Sequence, residues 1–198
     1  KTKETEGTRG NIYDRNGNLL AYNELAYSVT FEYSGDYKND ELNKIVSTVI
    51  QMVESNGDSV INDFGIILDS NDNYVYVAET DTERLRFIAD VYGLRTIDEL
   101  KDNQRNVSAE DLINYLCTDE TYGYGIDQED MSKAEVLKMV NIRYAISLNS
   151  YQQWLSTTIA EDVSQETVAD VMEHLDSLQG INIEEESLRR YTDSYCFA

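Results

Sequence analysis

The chain has 198 residues, 41% of them hydrophobic, with 38 Asp plus Glu against 16 Lys plus Arg and a formal net charge of −22. That length and apolar content are enough for one large domain or two small ones with a real core. The acidity excludes nucleic acid as a partner, because a polyphosphate needs a basic stripe to displace its counterions and the richest basic spot is the pair Arg189 and Arg190.

In chain order, Asn11 to Tyr13 and Leu19 to Ala21 flank Asp14-Arg15-Asn16-Gly17, a hairpin whose Asn-Gly supplies the positive φ of a tight turn. Leu25 to Tyr33 alternates, with Tyr27, Val29, Phe31 and Tyr33 on one face, which predicts a half-buried strand. From Asp40 the period changes: Leu42, Ile45, Val46, Val49, Ile50 and Val53 recur at helical steps until Gly57. Phe64 to Leu68 and Tyr74 to Val77, joined by Asp69-Ser70-Asn71-Asp72-Asn73, predict a second hairpin.

Helical signals dominate next: Thr82 to Tyr92 before Gly93, Ser108 with Asp111 as a capping box, and Ser132 with Glu135 opening Ala134 to Leu148. Between the last two, Thr118 to Met131, containing Tyr122 and Tyr124, reads as a surface excursion. A strand is expected around Thr157 to Ala160 within the stretch from Trp154 to Val163. A helix from Ser164 to Leu178 would follow, with Val168, Val171, Met172 and Leu175 on one face, then Gly180 as its stop. Ile181 and Ile183 alternate with polar residues into a final strand ending near Tyr191. The expected architecture is α+β: a β-rich base from both chain ends, residues 1–35 and 141–198, with a mostly helical head inserted at 36–140.

Chemistry-bearing patterns are sparse. With 38 acids, paired carboxylates are inevitable and say little about acid/base catalysis. Asp69 opens like a calcium loop, but its sixth position is Tyr74 where glycine is needed and its twelfth is Thr80. One histidine, His174, and two cysteines, Cys117 and Cys196, are too few soft ligands for structural zinc, and whether the cysteines pair stays open. No phosphate-binding glycine loop or Gly-x-Ser-x-Gly elbow occurs. No catalytic residue, metal site or cofactor is expected. No stretch reaches the roughly 18 to 20 apolar residues of a membrane span. The chain starts at Lys1 and ends in an apolar stretch without tail character, so both ends read as cuts.

One run stands out: Arg9, Gly10, Asp14, Arg15 and Gly17, spaced Arg-Gly-x-x-x-Asp-Arg-x-Gly. It resembles the first motif of the N-terminal, or dimerisation, domain of class B penicillin-binding proteins. Arg189 or Arg190 with Tyr191 resembles the same family's late Arg-x-Tyr-Pro-x-Gly motif, with Thr192 and Ser194 replacing Pro and Gly. Val140 to Tyr144, including Arg143, and Ile159 to Ala169 are similar to its middle and late segments. The resemblance implies a pedestal for a membrane-anchored D,D-transpeptidase in peptidoglycan synthesis, outside the cytoplasmic membrane and anchored upstream. The Ser-x-x-Lys and Lys-Ser/Thr-Gly signatures of that enzyme are absent, so no acylating serine is expected here.

The implied partners are the downstream transpeptidase domain, a membrane glycan polymerase, other elongation or division proteins, and a second copy. Because the chain has few cations, Asp14 is expected to pair with Arg189 or Arg190 where the two motifs meet. The competing expectation is an independent extracellular module using Tyr122, Tyr124 and nearby acids for calcium or a wall ligand.

Overall fold

In a computed structural model of the chain, which describes residues 10–33, 37–118, 123–149 and 155–192, the opening hairpin forms between β1 (Ile12–Tyr13) and β2 (Leu19–Glu32). Asp14 closes its turn: Oδ1 accepts the backbone N–H groups of Asn16 and Asn18 at 2.8 Å each. Gly17 takes a left-handed φ of 86°, which glycine adopts at no steric cost. The second hairpin, β3 (Ile66–Leu68) with β4 (Tyr74–Tyr76), repeats the device. There Asp69 Oδ1 accepts from the amides of Asn71 and Asn73 at 2.8 and 2.9 Å, and Asp72 holds φ 61° where the first turn has glycine. Both carboxylates are spent on their own turn amides.

Strand β2 is the axis of the larger sheet. Its 14 residues span roughly 46 Å at ~3.3 Å per residue. Along one edge it pairs antiparallel with β6 (Ile181–Tyr191), from Ala21 to Phe31. The other edge carries β1 at its start and β5 (Ser156–Ala160) at its end. The strand is longer than its alternation suggested, and it is not half-buried: Ser28, Val29, Thr30 and Phe31 are all buried, so both faces are covered there. Alternation reported the apolar face, while the small hydroxyl residues opposite gave no sign of burial.

The expected helices start where their caps place them, but the helix after Ser164 stays α-helical only to His174, four residues short of the expected Leu178, and ends in a 3-10 turn at Leu175–Ser177. Helix α1 (Asn39–Ser55) buries Leu42, Val46, Val49, Ile50 and Val53. Helix α2 (Asp81–Val91) starts on a reciprocal box in which Thr80 Oγ1 accepts from Glu83 N at 3.2 Å and Glu83 Oε2 accepts from Thr80 N at 3.1 Å. After the short helix α3 (Asp102–Arg105), Ser108 caps α4 (Ala109–Thr118) through the Asp111 amide, and Ser132 with Glu135 opens α5 (Lys133–Asn149). Helix α5 is buried on several sides and α1 packs against both it and α6 (Gln165–His174). One continuous buried cluster runs from Phe31 through α1 and α5 to Ile113 and Leu116. Around it Phe64, Phe87 and Tyr144 stack edge to face, with centroids 5.1 to 6.2 Å apart, a geometry that matches the ring quadrupoles.

Two expectations about side chains are corrected. Met172 is exposed, and Thr167, fully buried, takes the inward position on α6 instead. Tyr124 is not on a surface excursion: it is 6% exposed, its N–H bonds Leu116 O, and its hydroxyl meets Ser147 Oγ at 3.2 Å. Tyr122, Trp154 and Cys196 lie outside the described residues. Cys117 is buried in α4, where burial pushes its thiol up to about 12.

Candidate functional site

The two motifs meet on the ribbon formed by β1, β2 and β6. In register, Ile12 and Tyr191 both face Ala21 from opposite edges, and Ala21 is 1% exposed beneath them. Ile12, Leu25 and Tyr191 are themselves more than half exposed, an apolar rim on the face that carries Ala21. Thr192 prolongs the ribbon: its N–H donates to Leu20 O at 3.0 Å and its hydroxyl to Leu19 O at 2.5 Å. Proline, the residue that the late motif carries at this position, has no N–H to make the first bond. The departure from the motif therefore lengthens the ladder by one rung.

Neighbouring residues on a strand point to opposite faces, so Arg189 and Arg190 cannot share a partner. Arg189 Nη1 donates to Gly10 O at 2.8 Å and to Asn23 Oδ1 at 3.0 Å. Arg190, on the other face, binds Glu24 through Nε at 2.8 Å and Asp162 through Nη2 at 2.5 Å. Those bonds hold the Arg190 pKa above its ordinary value, hydrogen bonding to Asp162 first.

The expected pair of Asp14 with Arg189 or Arg190 does not form. Asp14 accepts from Asn18 Nδ2 as well as the two turn amides, and these bonds, the Asn18 side chain first, hold its carboxyl below the usual range. The motifs are joined by an arginine on a backbone carbonyl. Arg15 is exposed, with no bond or ion pair among the described residues, and Arg9 lies outside them.

Arg143 belongs to a second polar cluster. It is 6% exposed and lies within α5, donating to Asn39 Oδ1 at 2.7 Å, to Asn43 Oδ1, and to the carbonyl oxygens of Asn39 and Tyr124. Its guanidinium lies 5.0 Å from the Tyr124 ring centroid, and Asn43 Nδ2 completes the knot by donating to Tyr124 O at 2.8 Å. Asn43 was legible only as an oddity, a poor helix former just past the first turn of α1. Such a residue is worth its place when its amide reaches another element.

A third polar cluster, unforeseen in the sequence, ties the end of α1 to the start of α6. Asp58 Oδ2 accepts from Ser164 N at 2.9 Å, Ser164 Oγ at 2.7 Å and Thr167 Oγ1 at 2.5 Å. Burial alone would raise this carboxyl, but the bonds from Thr167 and Ser164 outweigh it and hold the pKa below the ordinary 3.8. A lowered carboxyl pKa adds stability that is present above 3.8 and lost as pH falls through the folded value. Asp58→Asn is therefore expected to cost about 1 kcal/mol at neutral pH, and the gap from the parent chain should close in acid. Urea unfolding at the two pH values checks this, and a gap that persists in acid contradicts it.

Among the described residues no group of three or more His, Cys, Asp or Glu is arranged to hold a metal ion, and no helix is long and apolar enough to cross a membrane. What the fold defines is an α+β module whose polar clusters tie strand to strand and helix to helix. Residues 4–198 match the family described as the penicillin-binding protein dimerisation domain, and the chain belongs to that family. Penicillin-binding protein 2A of Bacillus subtilis (strain 168) is 23% identical over 186 residues, which is 92% of this chain and 23% of that protein. Two solved structures of penicillin-binding protein 2B from Streptococcus pneumoniae are also similar. The one from strain 5204 shows 18% identity and a TM-score of 0.44, covering 96% of this chain and 26% of that one. The one from strain R6 shows 17% identity and a TM-score of 0.41, covering 94% and 25%. The chain thus spans about a quarter of the length of these relatives.

Proposed function

We propose that this dimerisation domain is the non-catalytic scaffold of a longer, membrane-anchored penicillin-binding protein in peptidoglycan synthesis, on the outer face of the cytoplasmic membrane. The observation that supports this most is the row Ile12, Ala21, Tyr191, in which the described chain enters and leaves on the two strands flanking β2. A membrane tether on the entering side and a transpeptidase on the leaving side are then coupled through one ribbon. Arg189 and Arg190 fix the ribbon's two faces, Arg189 to Gly10 and Asn23, Arg190 to Glu24 and Asp162. Gly10, Asp14 and Gly17 of the first motif shape the entering strand and its turn, and Tyr191 closes the row.

In this reading residues 1–35 and 141–198 are the base, and 36–140 the head, braced on it by Arg143. A membrane glycan polymerase and other elongation or division proteins dock on the head and the ribbon rim, and a second copy is the further partner the family's description names. The test is made in the longer protein with Arg189→Ala and Arg190→Ala combined. Labelling by fluorescent penicillin is expected to persist while glycan cross-linking in cells falls. Cross-linking at the unsubstituted level contradicts the scaffold role.

A further inference from the structure

Carboxylates outnumber cations 38 to 16 here, so an arginine with no acceptor is unexpected. Among the described residues Arg84, Arg105, Arg143, Arg189 and Arg190 all donate to protein oxygens. Arg86 and Arg95 have no such bond among those residues, both are exposed, and both line one open groove of about 430 Å³ with Thr82, Asp90 and Thr96. Two of the three described arginines left without a partner therefore converge on a single surface feature.

The groove is built from fixed parts. One wall is α2, which carries Arg86 and, one turn on, Asp90. The opposite wall, Arg95 to Ile97, is held from behind: Arg105 Nη2 donates to Ile97 O at 2.6 Å and Nε to Leu100 O at 3.2 Å, while Arg84 Nη1 donates to Arg105 O at 3.1 Å. Such bracing orders the wall before any ligand arrives, which removes part of the entropic cost of binding.

The chemistry of the lining selects the ligand. Two guanidiniums suit a planar oxyanion, which each can grip with paired N–H donors. A multiply charged anion is opposed by Asp90 on the same groove and by the chain's net charge of −22. Asp90 is at the same time an acceptor for an N–H or ammonium group. We propose that this groove binds the carboxyl terminus of a short peptide, its carboxylate on Arg86 and Arg95 and its nitrogen end toward Asp90. The volume lies within the range of small-ligand pockets, roughly 300 to 1,000 Å³.

The test is an NMR titration of the whole chain, following the arginine Nε–H resonances, with triglycine, triglycinamide and inorganic phosphate as probes. Triglycine is expected to shift Arg86 and Arg95 saturably, triglycinamide to shift neither, and phosphate to bind more weakly than triglycine. Arg86→Gln and Arg95→Gln are each expected to weaken triglycine by about tenfold or more, with an unchanged unfolding midpoint, because both positions are exposed. The proposal is overturned if triglycine gives no saturable shift, if triglycinamide binds equally well, if phosphate binds more tightly, or if the variants bind as the parent does. Its failure leaves the scaffold reading intact, since the groove touches neither the ribbon nor its arginines.

Discussion

Arg143→Ala is expected to lower the unfolding free energy by about 3 to 5 kcal/mol, the largest effect of any single substitution considered. Burial pulls the arginine's pKa down to about 10, so at neutral pH it is a cation inside the protein. The charge by itself therefore works against folding. What the alanine variant loses is everything arranged to offset that charge: the Asn39 and Asn43 amide oxygens lose their donor, the Tyr124 ring loses its cation, and a void opens between α1 and α5. Arg143→Met, which fills the space without donors, should recover part of the loss.

Hydrogen exchange supplies a local readout, because Tyr124 N–H bonds Leu116 O at 2.7 Å and Ile126 N–H bonds Cys117 O at 3.0 Å. Both amides should exchange faster in Arg143→Ala before global unfolding is reached. A loss below about 1 kcal/mol, with these amides still protected, contradicts a bracing role.

Gly180→Ala is the second large effect, at about 2 to 5 kcal/mol. Gly180 stands at φ 87°, and a Cβ there would lie 2.8 Å from the Phe31 ring, 2.9 Å from the Tyr37 hydroxyl and 3.0 Å from Glu32 O. Two of these neighbours cannot yield easily: Phe31 is fully buried, and the Glu32 backbone is bonded to Gly180 O through its N–H at 2.8 Å. Gly57 is the control, with φ 86° and nothing within 4 Å of the added atom. Gly57→Ala should cost only the left-handed strain, about 1 to 2 kcal/mol. The difference between the two denaturation midpoints isolates the steric part, and equal midpoints contradict it.

Local rules made the elements readable. The Ser108, Ser132 and Ser164 starts, the Gly57 and Gly93 ends, and both Asp-x-Asn hairpin turns are chemistry within five residues, and each appears where its spelling places it. Long-range pairing was legible only in outline. Both chain ends were expected in one sheet and form one, yet the Asp14 to arginine bond drawn across it was wrong.

That error has a local cause. Asp14 is followed by Asn16 and Asn18, whose amides reach its carboxylate in a closed turn, and a nearby donor within the same turn outcompetes a distant guanidinium. The even-odd alternation of β6 then sends Arg190 to Glu24 and Asp162 and leaves Arg189 for Gly10 and Asn23. Long-range polar knots left the faintest trace, since Asn39, Asn43 and Asp58 carry no periodic signal and find their partners 81 to 109 residues away. Tyr124 was misread for the same reason: glycines and acids around it suggest an exposed loop, while Leu116 O, Ser147 and Arg143, which draw it inward, all lie outside that stretch.

The coupling of entering and leaving strands through one ribbon is most directly tested by pulsed electron–electron resonance in the longer protein, with one spin label at Asn16 and one in the transpeptidase domain. A single narrow distance distribution is expected, broadened when Arg189 and Arg190 are both replaced by alanine. A broad distribution in the unsubstituted protein would contradict a scaffold that orients the enzyme.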